Sequence, residues 1–177
     1  MEYVVLVDEN DKALGRMEKM EAHEKGLLHR AFSVFIFNTK GELLLQQRAL
    51  NKYHSGGLWT NTCCSHPRPE EETINAASRR LYEEMGLKIP LIKIFDFVYK
   101  ASFNNGLTEY EFDHVFIGYS DEKPDINIAE VENYAYRSID AIAKIIELVP
   151  EFYTEWFLIA FPKIYDWWKQ QTFPKTI

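Results

Sequence analysis

The chain has 177 residues, enough for one domain with a sizeable core. Hydrophobic residues are 46% and charged residues 27% of the total, the proportions of a soluble globular protein rather than a disordered one. The net charge is −7 with no lysine/arginine run, which argues against a nucleic-acid partner.

The start, Met-Glu-Tyr-Val-Val-Leu-Val-Asp, lacks the basic opening of a signal peptide, and no apolar run would span a bilayer. A cytoplasmic protein without a membrane partner is expected, a monomer by default. Residues 3–8 read as a strand and 9–12 as a turn. Residues 31–37, Ala-Phe-Ser-Val-Phe-Ile-Phe, read as a central strand, with a hairpin turn at 38–41 and a return strand over 42–48. Cys63 and Cys64 are adjacent, so they are no disulfide framework, and a reducing compartment suits them. The spacing of Ile74, Ala77, Ser78, Leu81 and Met85 predicts an amphipathic helix over 71–85, with Gly86 as its C-cap. Residues 91–99 and 109–119 read as strands joined by a turn at 104–106. Helices are expected over 139–148 and 152–168, the second bent at Pro162. Strands, helix, strands and helices in that order imply a mixed sheet covered by helices, an α/β (α+β) fold.

Period-2 geometry puts Glu109, Glu111 and Asp113 on one strand face, with Tyr110, Phe112 and Phe116 on the other, packed side. Adjacent carboxylates repel unless a cation or a shared proton intervenes; otherwise the face is simply solvated. His23 and His29 are six residues apart and would not share a helix face, but a turn at Gly26 would fold them together. With His66 and the two glutamates they form a mixed nitrogen/oxygen set, suited to Mn, Fe, Zn or Mg. Taken singly, each histidine reads as an ordinary surface or core residue, and His54 and His114 are left there. Cys64, two residues before His66, is a candidate acid/base or nucleophile, or else a buried inert thiol. Cys63 should point the other way if the segment is extended. Glu84 falls at the edge of the helix stripe with Arg80 four residues earlier, either a surface ion pair or a ligand entering a cleft. Lys19, Arg48 and Lys52 together would suit a phosphate. Most C-terminal aromatics, Phe152 to Trp168, should be core, and one of them would suit a cation–π wall.

These residues carry a resemblance. Glu71, Arg79, Leu81, Glu83, Glu84, Gly86 and Leu87 match the Nudix box G-x5-E-x7-R-E-U-x-E-E-x-G-U, U being aliphatic, while Ser65 replaces its first glycine and Arg80 its second glutamate. Nearly the whole chain resembles type I isopentenyl-diphosphate Δ-isomerase. The segments that carry this are Ala22-His23, residues 28–33, 47–52, the string from Trp59 to Pro67, 79–86, Glu109-Tyr110-Glu111 and residues 153–156. The resemblance implies a Nudix-like α/β/α sandwich forming a single domain over 1–177, with a core at about 29–165, an N-terminal metal-binding extension and C-terminal helices. It implies a divalent metal (Mn2+, Mg2+ or Zn2+) on His23, His29, His66, Glu109 and Glu111. Cys64 would be the catalytic cysteine, Glu111 the second acid/base and Tyr99 its assistant, with Trp156 over the hydrocarbon. Glu84 would hold a Mg2+ that bridges to the diphosphate, which Lys19, Arg48, Lys52 and Arg80 would contact.

The implied reaction protonates an alkene to a tertiary carbocation and removes a proton from the neighbouring carbon of a small prenyl diphosphate. It needs an acid and a base on opposite sides of a flat hydrocarbon. A Nudix-type diphosphate hydrolase is the alternative.

Overall fold

The computed structural model describes residues 2–52, 54–103 and 105–171. The apolar run expected as a central strand is β3 (His29–Phe37), buried throughout except at Arg30. It is the hub of one mixed sheet. Along its whole length it pairs in parallel with β8 (Thr108–Tyr119), His29 opposite Glu111 and Phe37 opposite Tyr119. Its other edge is shared by three strands in turn. These are β1 (Tyr3–Val7) at His29, β6 (Cys63–Ser65) at Phe32 to Val34, and β4 (Glu42–Arg48) at Ile36 and Phe37. β4 therefore leaves β3 soon after the turn, and β6 occupies the gap. β2 (Ala13–Glu18) extends the sheet beyond β1, β5 (Trp59–Thr60) and β9 (Val131–Ser138) flank β4, and β7 (Ile92–Ser102) flanks β8.

Alternation along β3 and its neighbours sorts the core into two layers. Phe32, Val34, Ile36, Leu44 and Phe116 meet Ala76, Ala77, Leu81 and Met85 of α2 (Thr73–Met85). Phe35, Phe37, Leu43, Leu45, Val115 and Ile117 meet α3 (Ile139–Leu148) and α4 (Glu155–Gln170) on the other face. A parallel pair buried on both faces suits such a sandwich. Among the described residues no helix is long and apolar enough to cross a membrane.

Several expectations are corrected. β2, β5, β6 and β9 were not predicted, and a helix precedes β3 where none was expected, α1 (Lys19–Lys25). β2 and β9 are largely exposed edge elements, so their sequences lack apolar alternation. The α2 stripe is Ala76, Ala77, Leu81, Glu84 and Met85; Ile74 is 41% exposed and Ser78 faces solvent. Glu84 is thus inside rather than at an edge. The expected turn at 104–106 joins β7 to β8, and its first residue, Asn104, lies outside the described residues. The last helix starts at Glu155, after a 3-10 turn at Pro150–Phe152, and continues through Pro162.

Candidate active site

The string from Trp59 to Pro67 is a polar wedge in the gap between β3 and β4. Thr62 Oγ1 donates to the Leu44 carbonyl (2.6 Å) and accepts from the Ile36 amide (2.9 Å). Asn61 Nδ2 donates to the carbonyls of Val34 and Cys63. These buried side chains replace the ladder bonds that β3 and β4 lose by separating, so each is satisfied. β6 is thereby fixed with Cys64 opposite Ser33, facing the α4 layer, while Cys63 turns into the α2 layer. The same wedge holds α4: Thr154 Oγ1 donates to Thr60 Oγ1, and the Thr154 amide to the Trp59 carbonyl. That places Trp156, in the first turn of α4, beside Cys64 on one cavity.

On the same face of the sheet, α1 ends at Gly26, whose φ of 56° and ψ of 44° are left-handed. The chain doubles back there and brings His29, at the head of β3, against His23, ring centroids 4.8 Å apart. His66 follows β6 into the same place, 5.0 Å from the His29 ring. His66 Nε2 lies 2.9 Å from Glu111 Oε1 and 3.3 Å from His29 Nε2. His23, His29, His66 and Glu111 offer ligand atoms that all lie within 4.8 Å of one another. Their orientation suits a divalent ion. His23 Nδ1 donates to the Lys19 carbonyl (2.7 Å) and His29 Nδ1 to the Leu27 carbonyl (2.8 Å), which leaves both Nε2 lone pairs facing inward. His23 Nε2 is buried without a partner among the described residues. Burial, helped by the neighbouring His29, lowers the His23 pKa, and burial takes His66 down to about 4 against the pull of Glu111. Neutral imidazoles are what a metal requires.

Glu109 stands beside this group rather than within it. Its carboxylate accepts from Tyr99 Oη at 3.1 Å, and Tyr99 also donates to Glu111 Oε2 at 2.6 Å. The register explains the contact, since Tyr99 on β7 faces Glu111 directly. All three are buried. Burial and then the Glu111 charge push Glu109 well above the carboxylate range. Burial alone would raise Glu111 too, but the imidazoles of His66 at 2.9 Å and His29 at 3.6 Å override it and hold Glu111 well below. Burial, reinforced by these two carboxylates, raises the Tyr99 phenol far above its usual value. Burial likewise raises the Cys64 thiol, with Arg48 opposing and Glu84, Glu109 and Glu111 reinforcing, so the group is a neutral thiol. Asp113, on the same face, accepts from Ser33 Oγ at 2.8 Å.

The cavity that holds Cys64, Tyr99, Glu109, Glu111, His66 and Trp156 continues past Arg48 to Lys19, Lys52, Arg80 and Glu84. His23 and His29 lie behind it. Glu84 is 5% exposed and accepts from Arg80 Nη2 (2.6 Å) and Gln46 Nε2 (2.9 Å). Arg80 and Lys52 both meet Glu130. The Arg48 guanidinium sits 5.0 Å over the Trp156 ring. Lys19 pairs with Glu2. Of the Nudix-box residues, Arg79 joins Glu71 by two bonds of 2.8 Å and meets Glu83, tying the loop to α2.

Ser33, Gln46, His54 and Glu130 line the cavity and were not singled out from the sequence. Period-2 alternation on β3 and β4 is the only signal that bears on Ser33 and Gln46. His54 and Glu130 lie in loops with no motif. His114 pairs with Asp11 at 3.0 Å, outside the cavity.

A profile of the NUDIX domain matches residues 27–157. An isopentenyl-diphosphate Delta-isomerase of Pectobacterium atrosepticum is 57% identical over 94% of this chain and 93% of its own. Relatives of that name from Photorhabdus laumondii and Halorhodospira halophila are 52% and 44% identical, covering 88% and 94% of this chain and 88% and 98% of theirs. In structure, the chain superposes on DR0079 of Deinococcus radiodurans with a TM-score of 0.66, at 19% identity over 86% of this chain and all of that one. A MutT protein of Methanosarcina mazei gives 0.64, at 20% identity over 81% and 96%. The structural likenesses establish the fold, and the sequence identities go further: this chain belongs to the isopentenyl-diphosphate Δ-isomerase family, built on a Nudix fold.

Proposed function

We propose that the chain interconverts isopentenyl and dimethylallyl diphosphate, with Cys64 and Glu111 as its two proton-transfer groups. The observation that carries this is the polarity of one cavity. Arg80, Lys52 and Glu84 gather about Glu130 with Lys19 on the same lining, a thiol, a tyrosine-bonded carboxylate and an indole make up the rest, and Arg48 joins the two sets over the Trp156 ring. Arg48, Lys19, Lys52 and Arg80 suit the diphosphate, and the buried Glu84 carboxylate suits the Mg2+ that accompanies it. Anchoring the substrate there, remote from the reacting carbons, positions it for the chemical step.

At the reacting end, a neutral Cys64 carries a transferable proton without a thiolate to trap a carbocation. Glu111 on β8 and Cys64 on β6 flank β3 from its two edges and both line the cavity, so each can serve one side of a flat alkene bound between them. Tyr99 steadies Glu111 through its 2.6 Å bond. The Trp156 face offers negative quadrupole with no nucleophilic lone pair, worth about 2 kcal/mol to a desolvated cation. A divalent ion on His23, His29, His66 and Glu111, with Glu109 adjacent, supplies positive charge that keeps Glu111 ionised; Mn2+, Mg2+ and Zn2+ all accept this mixed donor set. The same reading takes the protein as a single-domain cytoplasmic monomer acting on a small molecule. The match over residues 27–157 and the −7 charge support the single domain and the absence of a nucleic-acid partner.

The test is NMR of isopentenyl diphosphate with the protein and Mg2+ in D2O, beside Cys64→Ala and Glu111→Gln. Dimethylallyl diphosphate with deuterium uptake is expected from the native chain, and a loss of several orders of magnitude in each variant. An active Cys64→Ala protein would sink the assignment of that thiol. Released phosphate would turn the reading to a hydrolase.

A further inference from the structure

Among the cavity side chains the mechanism above leaves unused is an imidazole. His54 lies in the loop between β4 and β5, only 9% exposed. It lines the cavity together with Trp156 and Cys64. Phe103 stacks on its ring, centroids 4.9 Å apart and planes at 17°, yet Phe103 is not itself part of the cavity lining. The imidazole is therefore a panel with one face toward the cavity and an aromatic ring fixed against it. Trp156 meets it at 81°, centroids 5.7 Å apart, so the two rings form a corner. Nε2 faces Glu109 Oε1 at 3.5 Å, and the His54 carbonyl accepts from Arg48 Nη2 at 3.4 Å. These contacts hold the ring from behind, from the side and through its own backbone. The metal-ligand group does not include it.

We propose that His54 is a specificity-determining residue: with Trp156 it closes the hydrocarbon end of the cavity and limits the substrate to a five-carbon chain. The inference rests on the isomerase reading for which end of the cavity takes the hydrocarbon. A rigid planar wall backed by a second ring resists displacement, so an added methyl group meets it directly. One methylene more or less against such a wall changes discrimination by about 10–200-fold. The role is one of shape, and a ring without nitrogen would serve it.

The test is calorimetric binding, with Mg2+, of two saturated probes differing by one carbon, 3-methylbutyl and 3-methylpentyl diphosphate. The native chain is expected to prefer the smaller. His54→Ala is expected to shift the preference toward the larger by about tenfold or more, His54→Phe to keep the native preference, and Phe103→Ala to shift it in the same direction but less. An unchanged preference in His54→Ala, or a shift in His54→Phe as large as in His54→Ala, would overturn the proposal. Should His54→Ala fail to fold, His54→Phe and Phe103→Ala still decide it. Turnover of isopentenyl diphosphate by the native chain is measured separately. Its absence would remove the isomerase reading, while the binding preference would still report whether His54 is the wall.

Discussion

Glu109 and Glu111 occupy equivalent faces of one strand, yet their surroundings drive them apart. Glu111 meets two imidazoles and Glu109 meets none of that group, so Glu111 is held well below the usual carboxylate range and Glu109 is pushed well above it. Tyr99 spans both. Tyr99→Phe removes a bond to an ionised carboxylate, worth about 1.5–3 kcal/mol. A kcat lowered by about 10–100-fold with KM unchanged is expected from steady-state kinetics, because the phenol lies away from the diphosphate end. At this scale the sequence was most legible where residues fall in strings: Cys64 with His66, Glu109 with Glu111. His54 was passed over because one histidine in a loop has no period or partner in sequence. Its place is set by Phe103 and Trp156, which are distant along the chain. Glu130 escaped for the same reason.

Among the elements, α1 is short but decides where His23 points. Gly26 ends it in the left-handed region, and a Cβ there would meet Thr108 atoms at 3.4 Å, an ordinary contact. The cost of Gly26→Ala is therefore conformational, about 1 kcal/mol. Since the turn aligns His23 with His29, metal affinity measured by titration is expected to fall as well as Tm. A second brace lies before α2. Arg79 hydrogen bonds hold the Glu71 carboxyl below 4.5, burial opposing. A lowered folded pKa means stability that is present above the unfolded value and lost as pH falls through the folded one. The Tm gap between the native chain and Arg79→Gln is accordingly expected to be full near neutrality and to shrink below about pH 4.5, read by thermal scans across that range. The long strands and α2 were readable because apolar periodicity runs through them. β9 was not, because its outward residues are polar and only its pairing with β4 makes it a strand. Ile74 misled for the opposite reason, an apolar residue at helical spacing left exposed near the helix start.

Across the whole molecule, the four converging ligands come from α1, β3, β8 and the segment just after β6. An ion bound there would tie a helix, two strands and a loop segment to one point. A ligand present at 100 times its Kd stabilises by about 2.7 kcal/mol. At about 2–4 °C per kcal/mol for a chain of this size, chelation is expected to lower Tm by roughly 5–10 °C, with no such response in His29→Ala. The fold class followed from motifs that span the chain, and the same motifs named several residues that line the cavity, though not Ser33, Gln46, His54 or Glu130. The cavity's shape did not follow from them, since it arises from the divergence of β4 from β3, which no local pattern records.

The parallel register of β3 on β8 has a consequence for the birth of the protein. Ser33 and Asp113 touch across 80 residues of sequence, and His29 and Glu111, paired on the same two strands, are farther apart still along the chain. A nascent polypeptide exposes three imidazoles well before the carboxylate that completes their set has left the ribosome. Ion capture is then a late event in folding, locked to closure of the central strand pair. Pulse-labelling hydrogen exchange during refolding should show α1 and β3 acquiring protection together with β8, and not before it.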